Sequence, residues 1–404
     1  MLPARSASPG AMRILHVVPS YYPALRYGGP IRSVHGLAKG LVRRGHEVHV
    51  FTTDLDGPTT SPVQLDEAVD LDGVTVRYFS TGLGRRLFRS PPMGRALFHN
   101  IRGFDVVHLH SVFLWPTSAA AFAARRVGVP YILSPRGMLV RELIARKSRV
   151  AKAVWMRVLE RGNLSGASAI HVTSDVEAHD FAALGLRHKA LVTIPNGIDV
   201  PCLPDGPHRL HPLLAEFLTL SCPRYILYLG RINWKKGLDR LISAMSDVSE
   251  ATLVIAGNDE EGYEPVLHDL ARQAGVAPRV RFVGPVHGAE KWELLAGAEM
   301  LVLPSYSENF GMVVLEAMMS RCPVVITPEV GLASAVYSAG AGIVVKGEPR
   351  ELSRAINALL QAPDKCRRMA EAGRRLAIEK YSWDTIAADM ERVYREHSGM
   401  RHAL

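Results

Sequence analysis

Short apolar runs recur along this chain, and nearly every one gives way to a polar or glycine-bearing turn and then to a stretch with helical spacing. The first series comprises Arg13–Val18, His46–Thr53, Val74–Tyr78, Asp105–His110, Tyr131–Ser134, Ala169–Thr173 and Ala190–Ile194. Runs this short and this rich in Val, Ile and Leu read as strands buried on both faces of a parallel sheet. Between the first two, Ile31–Arg44 repeats apolar residues at helical spacing (Ile31, Val34, Leu37, Ala38, Leu41, Val42) and stops at Gly45. A second series starts at Tyr225–Gly230 and continues through Ala251–Ala256, Val280–Val283, Met300–Leu303, Cys322–Ile326 and Gly342–Val345. The expected fold class is therefore α/β, with two Rossmann-like doubly wound domains facing each other across a cleft. Pro201, Pro204, Pro207 and Pro212 mark a connector between them. A chain of 404 residues is too long for one ordinary core, which agrees with two domains.

Charge and cysteine content narrow the function classes. Residues 1–200 carry 25 Lys and Arg against 14 Asp and Glu, and the rest carry 23 against 25, so the excess of positive charge lies in the first half. Arg85, Arg86, Arg89 and Arg95, and then Arg141, Arg146, Lys147, Arg149, Lys152 and Arg157, are interleaved with apolar residues and Trp155. Such a surface suits anionic lipid headgroups or an acidic substrate, or is a solvated basic helix face. No nucleic-acid motif accompanies it, so nucleic acid is not an expected partner. Cys202, Cys222, Cys322 and Cys366 show no Cys-x-x-Cys spacing, which argues against a disulfide framework or a structural zinc site and favours the cytoplasm. No apolar run approaches the ~18 residues of a membrane span. Residues 1–11 read as a loose Ser/Pro/Ala-rich extension without the apolar core of a signal peptide.

The segment Pro304-Ser-Tyr-Ser-Glu308-Asn309-Phe310-Gly311-Met-Val-Val-Leu-Glu316 follows the strand Met300–Leu303 and opens a helix. Unpaired N–H groups and the positive end of the dipole at a helix start suit a diphosphate. Glu316 lies five residues beyond Gly311, about 7.5 Å along the axis, and its side chain leans back toward the helix start. Glu308 and Glu316 could then hold a sugar and a ribose of one extended ligand. The plain alternative is two solvated glutamates, but Glu316 sits among Val313, Val314, Leu315, Ala317 and Met318, where a carboxylate needs a partner. Gly230-Arg231-Ile-Asn-Trp-Lys235-Lys236-Gly237 follows another strand of the same series. The planar fork of Arg231 and the mobile charge of Lys236 suit a diphosphate.

Taken together, Gly-Arg-x4-Lys-Gly at 230–237, Pro195-Asn-Gly-Ile-Asp199, and Glu308-x7-Glu316 resemble retaining family-4 glycosyltransferases of the GT-B fold, of the group 1 type. Gly28-Gly29 before the first helix, Arg-Arg-Gly-His46-Glu-Val after it, and the tail Tyr381-Ser-Trp383…Tyr394 fit the same likeness over residues 12–398. The resemblance implies hexose transfer from a nucleoside-diphosphate sugar, UDP- or GDP-linked, with retention at the anomeric carbon and with neither a cofactor nor an obligatory metal. It implies an acceptor-side domain over 12–199, completed by a last helix at about 384–404, and a nucleotide-sugar-binding domain over 200–383. Arg231 and Lys236 would take the leaving diphosphate, Glu308 the donor sugar, Glu316 the ribose, and the backbone of Asn309, Phe310 and Gly311 would approach sugar and phosphate. Gly28 and Gly29 would let a loop close over the diphosphate. The expected acceptor is a glycan or polyprenol-linked glycan in cell-surface polysaccharide assembly, at the inner face of an anionic membrane.

One position departs from the likeness. Many relatives carry a His in the turn after the strand here reading Tyr131–Ser134, and this chain has Arg136, a candidate contact to acceptor or donor sugar. His110, at a strand end, is a second such candidate, although a structural role is commoner there. Ser174 reads as a helix cap. Asp54-Leu-Asp56 and Asp70-Leu-Asp72 could hold a divalent cation, but Asp56-Gly-Pro and Asp72-Gly look like ordinary turns, so no metal site is expected. Two other classes remain open on residue types alone, a non-catalytic sugar-nucleotide-binding subunit and an isomerising enzyme such as a sugar-nucleotide epimerase. A phosphorylase is disfavoured because no lysine-anchored cofactor site is visible.

Overall fold

The computed structural model describes residues 10–24, 29–140, 149–199, 224–259 and 261–398. Gly28, residues 1–9 of the extension, the proline-rich connector, and Arg141, Arg146 and Lys147 lie outside the described residues. The chain forms two compact units, Met1–Gly197 with Trp383–Leu404, and Ile198–Ser382.

The first unit is built on β1 (Arg13–Val17), β2 (Glu47–Thr53), β3 (Leu55–Asp56), β4 (Thr59–Thr60), β5 (Ala68–Leu71), β6 (Val74–Phe79), β7 (Val106–His110), β8 (Tyr131–Ser134), β9 (Ala169–Val172) and β10 (Leu191–Thr193). Eight of these make one sheet in the order β10-β9-β8-β7-β1-β2-β6-β5, parallel except for the β5–β6 pair at its edge. Residues alternate strictly between two buried faces. Leu15, Val17, Val107, Leu109 and Leu133 pack into one apolar cluster, and Ile14, Val106, Ile132 and Ala169 into the other. Burial on both sides explains why these strands read as unbroken apolar runs.

Two acidic triplets sit at the β5 end of this sheet and serve the fold. Asp54 is buried and accepts from the backbone N–H and hydroxyl of Thr81 at 3.0 and 2.8 Å. Asp70 accepts from the N–H of Gly73 within the β5–β6 turn, and Asp72 takes Nε2 of His35 at 2.9 Å. The turns expected at Asp56-Gly57-Pro58 and Asp72-Gly73 are present, and the segments Leu55–Asp56 and Ala68–Leu71 before them, not expected as strands, pair as strands.

The helix Gly29–Arg43 lies against the helix Trp383–His397 at unusually close range. A methyl added at Gly36 would stand 2.1 Å from the Trp383 ring, and one at Gly40 would stand 2.8 Å from Cβ of Ala387. Small residues there let Trp383 seat almost completely, at 5% exposure. Burial of that ring contributes about 3–5 kcal/mol, and Arg43 adds an exposed pair with Asp384 that contributes little.

The second unit holds β11 (Tyr225–Leu229), β12 (Thr252–Ala256), β13 (Val280–Gly284), β14 (Met300–Leu303), β15 (Val324–Ile326) and β16 (Gly342–Val344). They form a six-stranded sheet, wholly parallel, in the order β13-β12-β11-β14-β15-β16. Strand order reverses between β11 and β14, which are neighbours in the sheet although far apart in sequence. Loops leaving the carboxyl ends of such a pair diverge, and a ligand crevice forms there. Those two loops carry Arg231, Lys236 and Glu308.

Candidate active site

After β11 the chain passes Gly230 and Arg231, makes one 3-10 turn at Trp234–Lys236, and reaches Gly237. Asn233 caps the turn by accepting from the N–H of Lys235 at 3.1 Å. The loop after β14 is tied to this turn at its backbone, where the N–H of Tyr306 donates to the carbonyl of Lys235 at 2.7 Å. Gly237 lies at φ +67, and a Cβ there would stand 2.0 Å from the carbonyl oxygen of Pro304. Only glycine meets both demands. The interlock sets the ammonium of Lys236 against Oε2 of Glu308 as an ion pair, with side chains 12% and 19% exposed. Gly237→Ala is expected to lower the melting temperature of this unit by about 4–8 °C, from roughly 2 kcal/mol of strain and displacement. Differential scanning calorimetry of the variant and the parent checks it.

Glu308 is also fixed through its backbone. Its N–H donates to the carbonyl of Glu329 at 3.1 Å, and its carbonyl accepts from Gly331 at 2.9 Å, so the β15 loop supports it. Gly311 at φ +93 opens the helix Met312–Met319. The side chain of Phe310 is buried, 6.2 Å centroid to centroid from the Tyr381 ring, which leaves its backbone as the part that faces the loop. Glu316 has the partner its apolar neighbours required. Nζ of Lys291 lies 2.7 Å from its Oε1, with side chains 10% and 15% exposed. Lys291 belongs to the helix Gly288–Gly297 and lies 4.5 Å from the Trp292 ring. The sequence reading missed Lys291. Its signal was a lone cation in Lys-Trp-Glu-Leu-Leu, a helical run whose other inward residues are apolar. Arg231 has an exposed side chain, while its carbonyl accepts from the buried Tyr228 hydroxyl at 2.8 Å. The structure thus brings Lys236 to Glu308 and Lys291 to Glu316.

The first unit gathers a different set of groups at the carboxyl ends of β7, β8 and β9. Arg136, at φ +57 in the turn after β8, donates to Nδ1 of His110 at 3.1 Å and to Oδ1 of Asn196 at 2.9 Å. Because a guanidinium only donates, His110 Nδ1 accepts, and its Nε2–H donates to Nδ1 of His16 at 2.9 Å. A second chain runs beside it. The Tyr394 hydroxyl meets His108 Nδ1 at 2.7 Å, His108 Nε2 meets His171 Nδ1 at 3.2 Å, and His171 Nε2 meets the carbonyl of Ile194 at 2.8 Å. The carbonyl can only accept, so His171 and His108 both donate from Nε2 and Tyr394 donates to His108.

Burial first, and the Arg136 charge second, push His16 down to about 3. His171 falls to about 3 for the same two reasons, and His108 and His110 lie well below the ordinary imidazole value, again chiefly through burial. Burial also draws Arg136 down to about 10, opposed by the charge of Glu177. Nitrogens of His16, His108 and His110 come within 4.8 Å of one another, a spacing that could hold a metal. The adjacent guanidinium opposes a second cation there and favours neutral imidazoles.

Glu177 was also missed. It is buried, and its carboxylate accepts from the N–H of Gly137 at 2.6 Å and from the N–H and hydroxyl of Thr173 at 2.8 and 2.9 Å. It thereby ties the turn carrying Arg136 to the end of β9. Ser174 caps that helix as expected, accepting from the N–H of Glu177 at 3.1 Å.

Two largely parallel sheets thus each present polar and charged side chains at a carboxyl edge, and the second carries two lysine-paired glutamates eight residues apart. Residues 28–197 match the Glycosyl transferase 4-like domain, and residues 217–376 match Glycosyl transferases group 1. The chain is 30% identical to a glycogen synthase of Mycobacterium tuberculosis, over 95% of this chain and 94% of that protein. It is 28% identical to a D-inositol 3-phosphate glycosyltransferase of Xylanimonas cellulosilytica, over 97% and 98% of the two chains. Among solved structures, HepE of Anabaena in complex with UDP and glucose superposes with a TM-score of 0.75 at 21% identity, covering 95% of this chain and all of that one. The chain belongs to the group 1, family-4 glycosyltransferases, with the GT-B fold. It is a retaining enzyme that transfers a hexose from a nucleoside-diphosphate sugar.

Proposed function

We propose that the protein moves the hexose of a uridine-diphosphate sugar onto a glycan or polyprenol-linked glycan acceptor in cell-surface polysaccharide assembly. The contact of Lys236 with Glu308, enforced by the Gly237–Pro304 interlock, is the observation that carries the donor assignment. A lysine is a mobile point charge. An arriving diphosphate would draw Lys236 and Arg231 to its oxygens and free Glu308 to hold sugar hydroxyls. As the bond to the sugar breaks, negative charge grows on the departing phosphate. Preorganised cations stabilise it more in the transition state than in the ground state. The Glu308 carboxylate favours the positive charge developing at the anomeric carbon. Glu316, steadied by Lys291, takes the ribose, and the backbone of Asn309 to Gly311 approaches sugar and phosphate. With cations in these roles the reaction proceeds without an obligatory metal, so EDTA should leave turnover intact.

Uridine is preferred because HepE, with a like fold, was captured with UDP and glucose. No helix among the described residues is long and apolar enough to cross a membrane. The positive first half would place the enzyme at the cytoplasmic face of an anionic one. A thermal-shift screen of UDP-, GDP- and ADP-sugars, followed by nucleoside diphosphate release with and without acceptor, tests the reading. Stabilisation by UDP-sugars with release that depends on acceptor is the expected result. Binding without turnover would make the protein a subunit, and an isomeric sugar product would make it an epimerase.

A further inference from the structure

The loops that follow β6 and β7 border, with the helix Arg149–Trp155, an open cavity of about 820 Å³. That is the size of a small-molecule site. Leu83, Leu87, Phe113 and Trp155 supply apolar walls, and Arg85, Arg86 and Lys152 supply the charge. Among the described residues, none that lines it carries a carboxylate.

The walls are built, not incidental. Glu160 is wholly buried, and one of its oxygens accepts from the Phe113 N–H at 2.6 Å and from the Trp155 indole N–H at 3.1 Å. Its other oxygen accepts from Asn163 at 3.2 Å. Phe113 is held at φ +60, and Ser111 before it at +73, conformations that bulky residues adopt only when their surroundings impose them. Trp155 therefore offers the cavity an apolar ring whose polar handle is already engaged. Apolar surface also reaches solvent at the lining, where Leu83 is 89% exposed.

A cavity for a bare sugar would need acceptors as well as donors on its side-chain walls, and this one is lined by cations and hydrocarbon. We infer that it takes the hydrocarbon chain of an anionic lipid, a long-chain alkyl or prenyl phosphate, with the phosphate held by Arg85, Arg86 and Lys152. It lies at the carboxyl end of the same sheet as His110 and Arg136, where ligands of open α/β sheets bind. The inference rests on the proposed lipid-linked acceptor and specifies which part of the first unit grips the lipid.

Hexyl, octyl and decyl phosphate, each below its micelle concentration, can be titrated calorimetrically into the full-length protein. Affinity should rise about fourfold for each methylene that enters the cavity. Inorganic phosphate and decanol should each bind at least tenfold more weakly than decyl phosphate. Leu83→Asp and Arg86→Glu change exposed side chains, so both variants should fold, and each should weaken decyl phosphate at least tenfold. An affinity independent of chain length, variants that bind as well as the parent, or decanol binding as tightly as decyl phosphate would overturn the assignment. UDP stabilisation, read on the same samples, reports on the donor site separately. Its retention alongside lost alkyl phosphate binding defeats the lipid site alone, and its absence alongside intact alkyl phosphate binding defeats the donor reading alone.

Discussion

Replacing Lys236 with methionine is expected to lower kcat/KM for the sugar donor by about 10²–10³-fold, the usual loss when a preorganised charge donor is removed from a transition state. Most of that loss should fall on kcat. In the proposed role the ammonium faces a diphosphate that gains negative charge as the sugar leaves, so it helps the transition state more than the bound donor. Methionine keeps the length and apolar stem, and the two side chains of the pair are mostly buried, at 12% and 19% exposure. Stripping Glu308 of its partner should cost less than the 3–5 kcal/mol, roughly, of a fully buried pair. Glu308→Gln provides the control. Because the two residues touch, Lys236→Met and Glu308→Gln should combine to a smaller loss than the product of the single losses. Steady-state kinetics on the four proteins decides the matter. A single-variant loss below tenfold, or strict additivity, would remove Lys236 from the reacting phosphate.

The parallel strands were legible because each is buried on two faces and so spells itself in Val, Ile and Leu. Met300–Leu303 and Tyr131–Ser134 have the bounds read from the sequence. Ala68–Leu71 was not legible. It is an antiparallel edge strand with exposed and half-buried residues alternating, and its Asp70-Leu-Asp72-Gly73 end carries turn chemistry. Lys236 and Glu308 were each found from local context, but their contact depends on β11 and β14 being neighbours, a fact of strand order that no local pattern carries. The histidines show the same limit more sharply. His16 pairs in register with His108 across β1 and β7, and His171 reaches His108 from β9, so the cluster exists only once the sheet is ordered. In the sequence His110 looked like an ordinary strand-end residue, and nothing local singled out Glu177.

That ordering makes the first unit sensitive to acid. His16, His108, His110 and His171 are no more than 2% exposed, and all four are held below the ordinary imidazole value. In the unfolded chain each titrates near 6.5, roughly the free imidazole value. Between that value and the folded value of about 3 that burial imposes on His16 and His171, the unfolded state binds protons that the folded state refuses. Unfolding free energy therefore rises with pH across this window, and the stability is lost as pH falls below 6.5. Moving from pH 7 to 5.5 should cost about 1.2 kcal/mol for each of His16 and His171, and His108 and His110 add to it with the same sign, against a total of about 5–15 kcal/mol for a domain. His46 and His49, also lowered by burial, act with the same sign. The expected result is a steep fall in the urea midpoint of the first unit between pH 7 and 5.5. Loss of hydrogen-exchange protection along β1 and β7 should accompany it, with the second unit less affected. His16→Gln cannot protonate, so it should lower stability at pH 7.5 yet flatten the slope by about one proton. Equal midpoints at pH 7.5 and 5.5 would mean that these imidazoles accept protons while folded, contrary to the hydrogen-bond order that Arg136 and the Ile194 carbonyl impose on the two chains.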